Sequence, residues 1–150
     1  MNEDKLDRDL AREELRTASD RRRVMAFIID ETIVSFVALI AMWDALSKTD
    51  DVLVQIDIIL ANSLWITAFS VVYQTIFIAL YGATLGKISQ RILVIETDTF
   101  EKPGLFSALG RALMRVVSSS CFWLGFLWAF NSYYRQTWHD KIARTIVIDA

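Results

Sequence analysis

The chain has 150 residues, of which 54% are hydrophobic and 23% charged, and its formal net charge is -2. This length corresponds to one small unit, and the single cysteine excludes both a disulfide framework and a cysteine metal cluster. The basic residues gather beside apolar segments instead of forming a patch with exposed aromatics, so nucleic-acid binding is not expected. The apolar content favours an integral membrane protein over a soluble domain.

Residues 1–20 form a tail that is dense in charges of both signs. Its three leucines are too sparse to form a strong apolar stripe, so the tail is predicted to be a solvated helix or a disordered segment. A helix that docks on a partner is the other alternative. We separate this tail, which we expect in the cytoplasm, from a membrane domain over residues 21–149.

The first long apolar run covers residues 24–43, which is about the length that a helix needs to cross a bilayer. Arg21, Arg22 and Arg23 precede it. Because Lys and Arg near the ends of spans favour the cytoplasm, the N-terminus is predicted to be cytoplasmic. The acidic loop at residues 47–51 and the aromatic Trp43 fit the outer face of the membrane.

Two acids, Asp30 and Glu31, lie inside this run. A carboxylate at the centre of a span costs about 2.5 to 3.5 kcal/mol, so such an acid usually faces a partner or a water-filled path. Arg23 lies seven residues earlier, within about 20° of the same helix face as Asp30. The pattern indicates either an ion or proton site, or a structural anchor that pairs with a basic residue. Arg23 and Arg115 are the candidate charge partners.

A second span is predicted over residues 57–81. A polar face of this span carries small and amide side chains at positions i, i+4, i+7 and i+11, namely Ser63, Thr67, Ser70 and Gln74. Such residues let helices approach closely and form hydrogen bonds between them. This face is therefore either a packing seam between helices or a polar path beside Asp30.

The glycine-rich segment at residues 82–87 does not match a phosphate loop, because only three residues separate Gly82 from Gly86 and Ile88 follows Lys87. We therefore expect no nucleotide. Residues 91–97 and 143–148 are β-branched and too short to span a membrane. They predict two short strands that pair on the cytoplasmic surface.

A helix that enters along the membrane interface is predicted over residues 105–115, and a third apolar run follows over residues 116–134. Basic residues flank this run on both sides, so the charge rule places both of its ends in the cytoplasm. A re-entrant hairpin satisfies that rule, and a third full span is the alternative. The predicted fold is thus an all-α membrane protein with two transmembrane helices, this third helical segment and two cytoplasmic strands.

Three stretches in order resemble the RDD family of small bacterial membrane proteins. They are Arg-x6-Asp entering the first span, Gly-x-Thr-Leu-Gly-Lys with the β-like run after it (residues 82–95), and Trp-His-Asp-Lys-x-Ala-x-Thr-x-Val (residues 138–147). The resemblance maps the arginine and two aspartates of the family name onto Arg23, Asp30 and Asp140. Glu31 and Trp138 depart from the usual pattern.

The resemblance implies a multi-pass protein of the bacterial inner membrane whose general function is not established, with sodium/proton antiport described for some members. We therefore expect a cation/proton transporter or a component of one, with Asp30, Glu31 and Asp140 as ion or proton ligands. A non-transporting accessory or assembly subunit is the alternative. Its expected partners are the lipid bilayer and either further copies of the chain or a larger membrane complex. No arrangement of Ser, Cys and His supports nucleophilic catalysis, so we expect neither an enzyme nor a cofactor.

Overall fold

The computed structural model describes residue 12 and residues 15–97, 99–120, 143 and 145–150. These residues form a mostly helical chain with one pair of short strands, which confirms that part of the predicted fold. The helices and strands are α1 Asp20–Leu46, α2 Val52–Ala61, α3 Ser63–Tyr81, α4 Leu85–Ser89, β1 Ile92–Glu96, α5 Leu105–Ser120 and β2 Thr145–Asp149. The third apolar run, residues 116–134, is described only to residue 120, so the hairpin and the third span both remain predictions.

The two long helices α1 and α3 are each long and apolar enough to cross a membrane. Only 17% of the most apolar window of α1 and 22% of that of α3 are buried within the chain. A helix in the core of a soluble protein is mostly buried, so these two resemble membrane spans more closely. Helix α1 starts at Asp20 and ends at Leu46, and it therefore includes the three arginines that the sequence placed before the span.

The second apolar run is not one helix over residues 57–81, as the sequence predicted, but two helices that meet at Asn62. The Asn62 side chain donates through Nδ2 to the Ile58 carbonyl oxygen at 2.8 Å. Its backbone leaves the helical region, with φ -97° and ψ 3°. Asparagine side chains compete with the backbone for hydrogen bonds, which accounts for a break at this position in an otherwise apolar run.

Strands β1 and β2 pair in antiparallel fashion, with Val94 opposite Val147. This confirms the pairing predicted from the β-branched composition of residues 91–97 and 143–148. Residues 16–18 lie along the free edge of β2, where Thr17 bridges Ile148 and the Ala18 N–H donates to the Val147 carbonyl at 3.0 Å. The last residues of the segment assigned to the charged tail are thus part of this ribbon.

The ribbon has two apolar faces because successive side chains of a strand point to opposite sides. One face packs with residues of the helices, and that cluster contains Ala26, Ile78, Val94, Ala108 and Val147 among others. The opposite face is formed by Ile95, Ile146 and Ile148, with Leu15, Leu93 and Phe100 packed against them. The ribbon therefore joins α1, α3 and α5 at one end of the molecule.

Helix α5 starts beside the ribbon, packs along α3 and reaches α1 through a long side chain. Ser107 donates to the Ala143 carbonyl at 3.0 Å, and Arg111 donates to the Thr145 hydroxyl at 2.7 Å. One turn further on, Arg115 reaches Glu31 of α1. Since the contacts of α5 move from the ribbon to deeper positions of α1, the two helices run in the same direction.

Candidate functional site

Asp30 lies at the centre of a buried polar cluster between α1, α3 and α4, and only 2% of its surface is exposed. Its Oδ1 accepts a hydrogen bond from the Tyr73 hydroxyl at 2.8 Å and another from the Gly86 N–H at 2.9 Å. Its Oδ2 accepts from the Thr84 hydroxyl at 2.6 Å. We call Asp30, Tyr73, Thr84 and Gly86 the Asp30 cluster. Three donors therefore stabilise this carboxylate in place of water.

The turn between α3 and α4 brings two of these donors to Asp30. Gly82 ends α3 in the left-handed region, with φ 71°, and its N–H donates to the Ile78 carbonyl at 2.9 Å. A glycine adopts this conformation without the steric penalty of a Cβ. Thr84 then takes an extended conformation as the N-cap of α4. The chain reverses within these residues, so that α4 docks on α1.

The first N–H groups of α4 are satisfied by residues from other helices. The Leu85 N–H donates to the Tyr73 hydroxyl at 3.1 Å, and the Gly86 N–H donates to Asp30. The N-terminal amides of a helix lack partners within the helix, and a carboxylate at this end is electrostatically favourable. Asp30 therefore caps α4 from α1, which is the geometry of a structural anchor.

Gly86 packs directly against α1. A Cβ at this position would lie 2.8 Å from both Cγ and Oδ1 of Asp30 and would overlap the carbonyl oxygen of Ala26. The segment that failed to match a phosphate loop thus has a clear structural role. Its second glycine permits the backbone of α4 to touch α1 and to donate to Asp30.

Glu31 and Arg115 form an ion pair next to the Asp30 cluster. The Arg115 side chain is 10% exposed and that of Glu31 is 46% exposed. The Arg115 guanidinium also lies over the Phe27 ring, with Cζ 4.6 Å from the ring centroid. Burial lowers the pKa of Arg115, and the carboxylates of Glu31 and Asp30 act in the opposite direction. Of the two predicted charge partners, Arg115 therefore contacts Glu31.

Arg23 lies about two turns from Asp30 along α1 and contacts the ribbon instead. Its Nη2 donates to the Val147 carbonyl oxygen at 3.0 Å. Arg22 forms an ion pair with Asp149 at 2.9 Å, and Arg111 reaches Thr145. Three arginines from α1 and α5 therefore hold β2.

The predicted polar face of the second span is buried only at the end near Asp30. Gln74 is 5% exposed, and its Nε2 donates to the Ser70 hydroxyl at 3.3 Å. Thr67 is half-buried and Ser63 is exposed. Tyr73, which the sequence analysis did not select, is the α3 residue that reaches Asp30.

Asp140, the third predicted ligand, lies outside the described residues. Among the residues that are described, no group of three or more His, Cys, Asp or Glu side chains lies close enough together to hold a metal ion. The predicted roles of Asp30, Glu31 and Asp140 in ion or proton binding stay predictions.

The model of a family described as the RDD family matches residues 17–144 of the chain. No curated protein and no solved structure matches it. The match includes α1, α3, the Asp30 cluster and β1, and together with the two membrane-capable helices it indicates a membrane protein.

Proposed function

The chain belongs to the RDD family, and from this premise we propose that it is a non-transporting subunit of a larger membrane assembly, in which Asp30 is a structural anchor. The alternative is a cation/proton transporter that uses the same carboxylate. The two proposals differ in whether Asp30 must exchange its partners for an ion during function. We assign the protein neither catalysis nor a cofactor under either proposal.

The burial of the Asp30 carboxylate and its three hydrogen bonds carry this proposal. Two hydroxyls and one N–H already donate to it, and it is 2% exposed. A proton or a cation bound at this carboxylate would compete with these donors, and each buried donor left unpaired costs about 1 to 3 kcal/mol. The Gly86 N–H in addition cannot act as a ligand to a cation. This arrangement supports an anchor better than an exchange site.

The parts of α1 and α2 that lie away from the ribbon support an assembly with other proteins in the membrane. The buried residues of α1 are Ala26, Asp30 and Val34, so no residue of α1 after Val34 is buried. Helix α2, in which Gln55 and Asp57 are the two polar residues, has no buried residue either. A predominantly apolar helix surface is normally covered by protein or lipid. We infer that these parts pack against other subunits within the bilayer.

We further propose that the ribbon lies on the cytoplasmic side of the bacterial inner membrane. Because β1 and β2 pair, the ends of the segment between Glu96 and Thr145 lie on one side. The same holds for residues 16–18, which precede α1. This pairing favours the re-entrant hairpin over a single crossing between β1 and β2. The arginines at the start of α1 favour the cytoplasm for this side.

Cysteine labelling tests this topology. In a Cys121→Ser background, we expect a membrane-impermeant maleimide to label Lys48→Cys from outside the cell. Ala150→Cys and Arg16→Cys should be labelled only in inverted vesicles, because they lie at the other end of α1. Labelling of Ala150→Cys from the same side as Lys48→Cys would contradict the proposed topology, and labelling of every site after detergent treatment is the control for reactivity.

Cation/proton exchange is favoured by one specific observation, namely that two hydroxyl oxygens lie beside the buried carboxylate. The hydroxyl oxygens of Tyr73 and Thr84 lie within 2.8 Å of the Asp30 carboxylate, and Glu31 is the next residue of the chain. Carboxylate and hydroxyl oxygens are suitable ligands for a hard cation such as sodium. This second candidate requires the cluster to open during transport.

A flux measurement separates the two candidates. We expect proteoliposomes with the wild-type protein to show no sodium-driven change of internal pH above that of protein-free liposomes, because an anchor keeps its hydrogen-bond partners and does not exchange ions. Asp57→Asn, which removes an exposed acid of α2, is the matched control for Asp30→Asn. Flux that persists in Asp57→Asn and disappears in a folded Asp30→Asn would overturn our proposal in favour of exchange.

A further inference from the structure

Three arginines from separate segments surround the end of β2. The Arg16 carbonyl accepts from the Asp149 N–H at 2.9 Å, and the Arg91 carbonyl accepts from the Ala150 N–H at 2.9 Å. Arg16 and Arg91 therefore flank β2 on its two edges, about 10 Å apart between Cα atoms, which is twice the strand spacing. Arg22 reaches the same point from α1 through its ion pair with Asp149. We call Arg16, Arg22 and Arg91 the arginine edge.

One of the three arginines of the arginine edge has a recorded ion pair with a described acid. Asp149 pairs with Arg22, whereas no other ion pair among the described residues involves Arg16 or Arg91. Both residues are exposed. Arg16 lies opposite Asp149 across the bridge, and opposed residues of antiparallel strands project to the same face. Its side chain therefore projects to the face from which Arg22 reaches β2.

Arg91 occupies a backbone conformation that does not suit an arginine. Its φ is 53°, in the left-handed region, directly after the short helix α4. Glycine is the usual residue at such a position, because a Cβ is disfavoured there. Strain of this kind is often retained where a side chain has a function. An exposed arginine retained at such a position is compatible with a functional role of its charge.

We propose that the arginine edge binds the phosphate of an anionic phospholipid headgroup. Arg22 lies in the first turn of α1, so the arginine edge is at the level where a span leaves the hydrocarbon. Guanidinium groups bind phosphate oxygens through paired, charge-assisted hydrogen bonds. Basic residues beside a span are also attracted to anionic lipid surfaces. The bound headgroup would hold the ribbon against the membrane surface.

The test uses the purified full chain in a neutral detergent. Its thermal midpoint is followed while dioctanoyl phosphatidylglycerol or dioctanoyl phosphatidylcholine is added. We expect only the anionic lipid to raise the midpoint, and less strongly at 0.5 M salt because of screening. Replacing both Arg16 and Arg91 by Gln in one variant should weaken the apparent affinity for the anionic lipid, by about fivefold for each arginine removed. Lys48→Gln, which removes an exposed cation at the other end of α1, should leave it unchanged.

Arg91→Gly separates binding from stability. Glycine relieves the strained φ, so the midpoint without lipid should rise, while the shift caused by the anionic lipid should fall. If Arg91 had only a structural role, its replacement would not raise the midpoint without lipid while reducing the shift caused by the anionic lipid. Equal shifts with both lipids, an unchanged affinity in the double Gln variant, or the same protection by inorganic phosphate at equal concentration would each overturn the proposal.

Discussion

Gly86→Ala is expected to destabilise the protein by about 3 kcal/mol or more, because the new methyl group has no space. It would overlap the Ala26 carbonyl oxygen and lie 2.8 Å from the Asp30 carboxylate. These atoms belong to the backbone of α1 and to a buried, hydrogen-bonded side chain, and neither can move away easily. Helix α4 must therefore shift, which breaks the Gly86–Asp30 hydrogen bond. The free energy of unfolding, measured by SDS titration in a mild detergent, is the readout.

Gly110→Ala is the matched control for this substitution. Gly110 lies inside α5, and among the described residues a Cβ there would meet no atom within 4 Å outside its own helix turn. Alanine in a helix interior is more favourable than glycine by about 0.5 to 1 kcal/mol, so this variant should be slightly more stable than the wild type. Equal effects of the two substitutions would show that Gly86 does not hold α4 against α1, and the structural role given to this glycine would be wrong.

The sequence predicted the partners of the ribbon more successfully than those of Asp30. Short β-branched runs such as those of β1 and β2 carry a local composition signal, and two such runs have few other ways to satisfy their backbone groups. The donors to Asp30 carry no comparable signal. They lie 43, 54 and 56 residues away along the chain. Only the docking of α3 and α4 on α1 brings them together.

The position of Tyr73 shows why periodicity missed it. The polar face predicted for the second span runs through Ser70 and Gln74, and Tyr73 precedes Gln74 by one residue, so it lies about 100° away on the helix. A tyrosine in an apolar run also reads as an aromatic core residue. Its hydroxyl acquires a role only because Asp30 and the Leu85 N–H lie on either side of it. The break at Asn62 was missed for a similar reason, since one asparagine does not end an apolar pattern.

The glycine-rich segment was identified, but its partner was not. The spacing of the glycines excluded a phosphate loop, and the sequence analysis then assigned no structural role to residues 82–87. In the structure the same N-terminal amides that would hold an anion in a phosphate loop are directed at a carboxylate and a hydroxyl of the protein itself. Asp30 therefore occupies the place at the start of α4 that a bound anion would take in a phosphate loop. The Arg-x6-Asp motif and the glycine-rich motif, which the sequence analysis treated separately, thus meet at this contact.

Asp30→Ala is expected to be the most damaging substitution of a polar residue, at about 3 to 5 kcal/mol. It leaves the Gly86 N–H and the hydroxyls of Tyr73 and Thr84 without their acceptor inside the protein. Asp30→Asn keeps the shape and one acceptor oxygen, so its cost should be smaller, about 1 to 3 kcal/mol. Asp44→Asn, at an exposed site on the same helix, should change stability by less than about 0.5 kcal/mol. Unfolding in detergent measures all three variants.

A double-mutant cycle then tests whether the hydrogen bonds of Asp30 stabilise the fold, as the anchor requires, because two partners of one hydrogen bond depend on each other for stability. Thr84→Val should destabilise the wild type but have little further effect in Asp30→Ala, where its partner is already absent, giving a coupling of about 0.5 to 3 kcal/mol. Purely additive effects, together with a stable Asp30→Ala protein, would mean that the fold does not need this carboxylate. The burial of Asp30 in a membrane helix would then require a functional explanation, and the exchange of ions would become the better one.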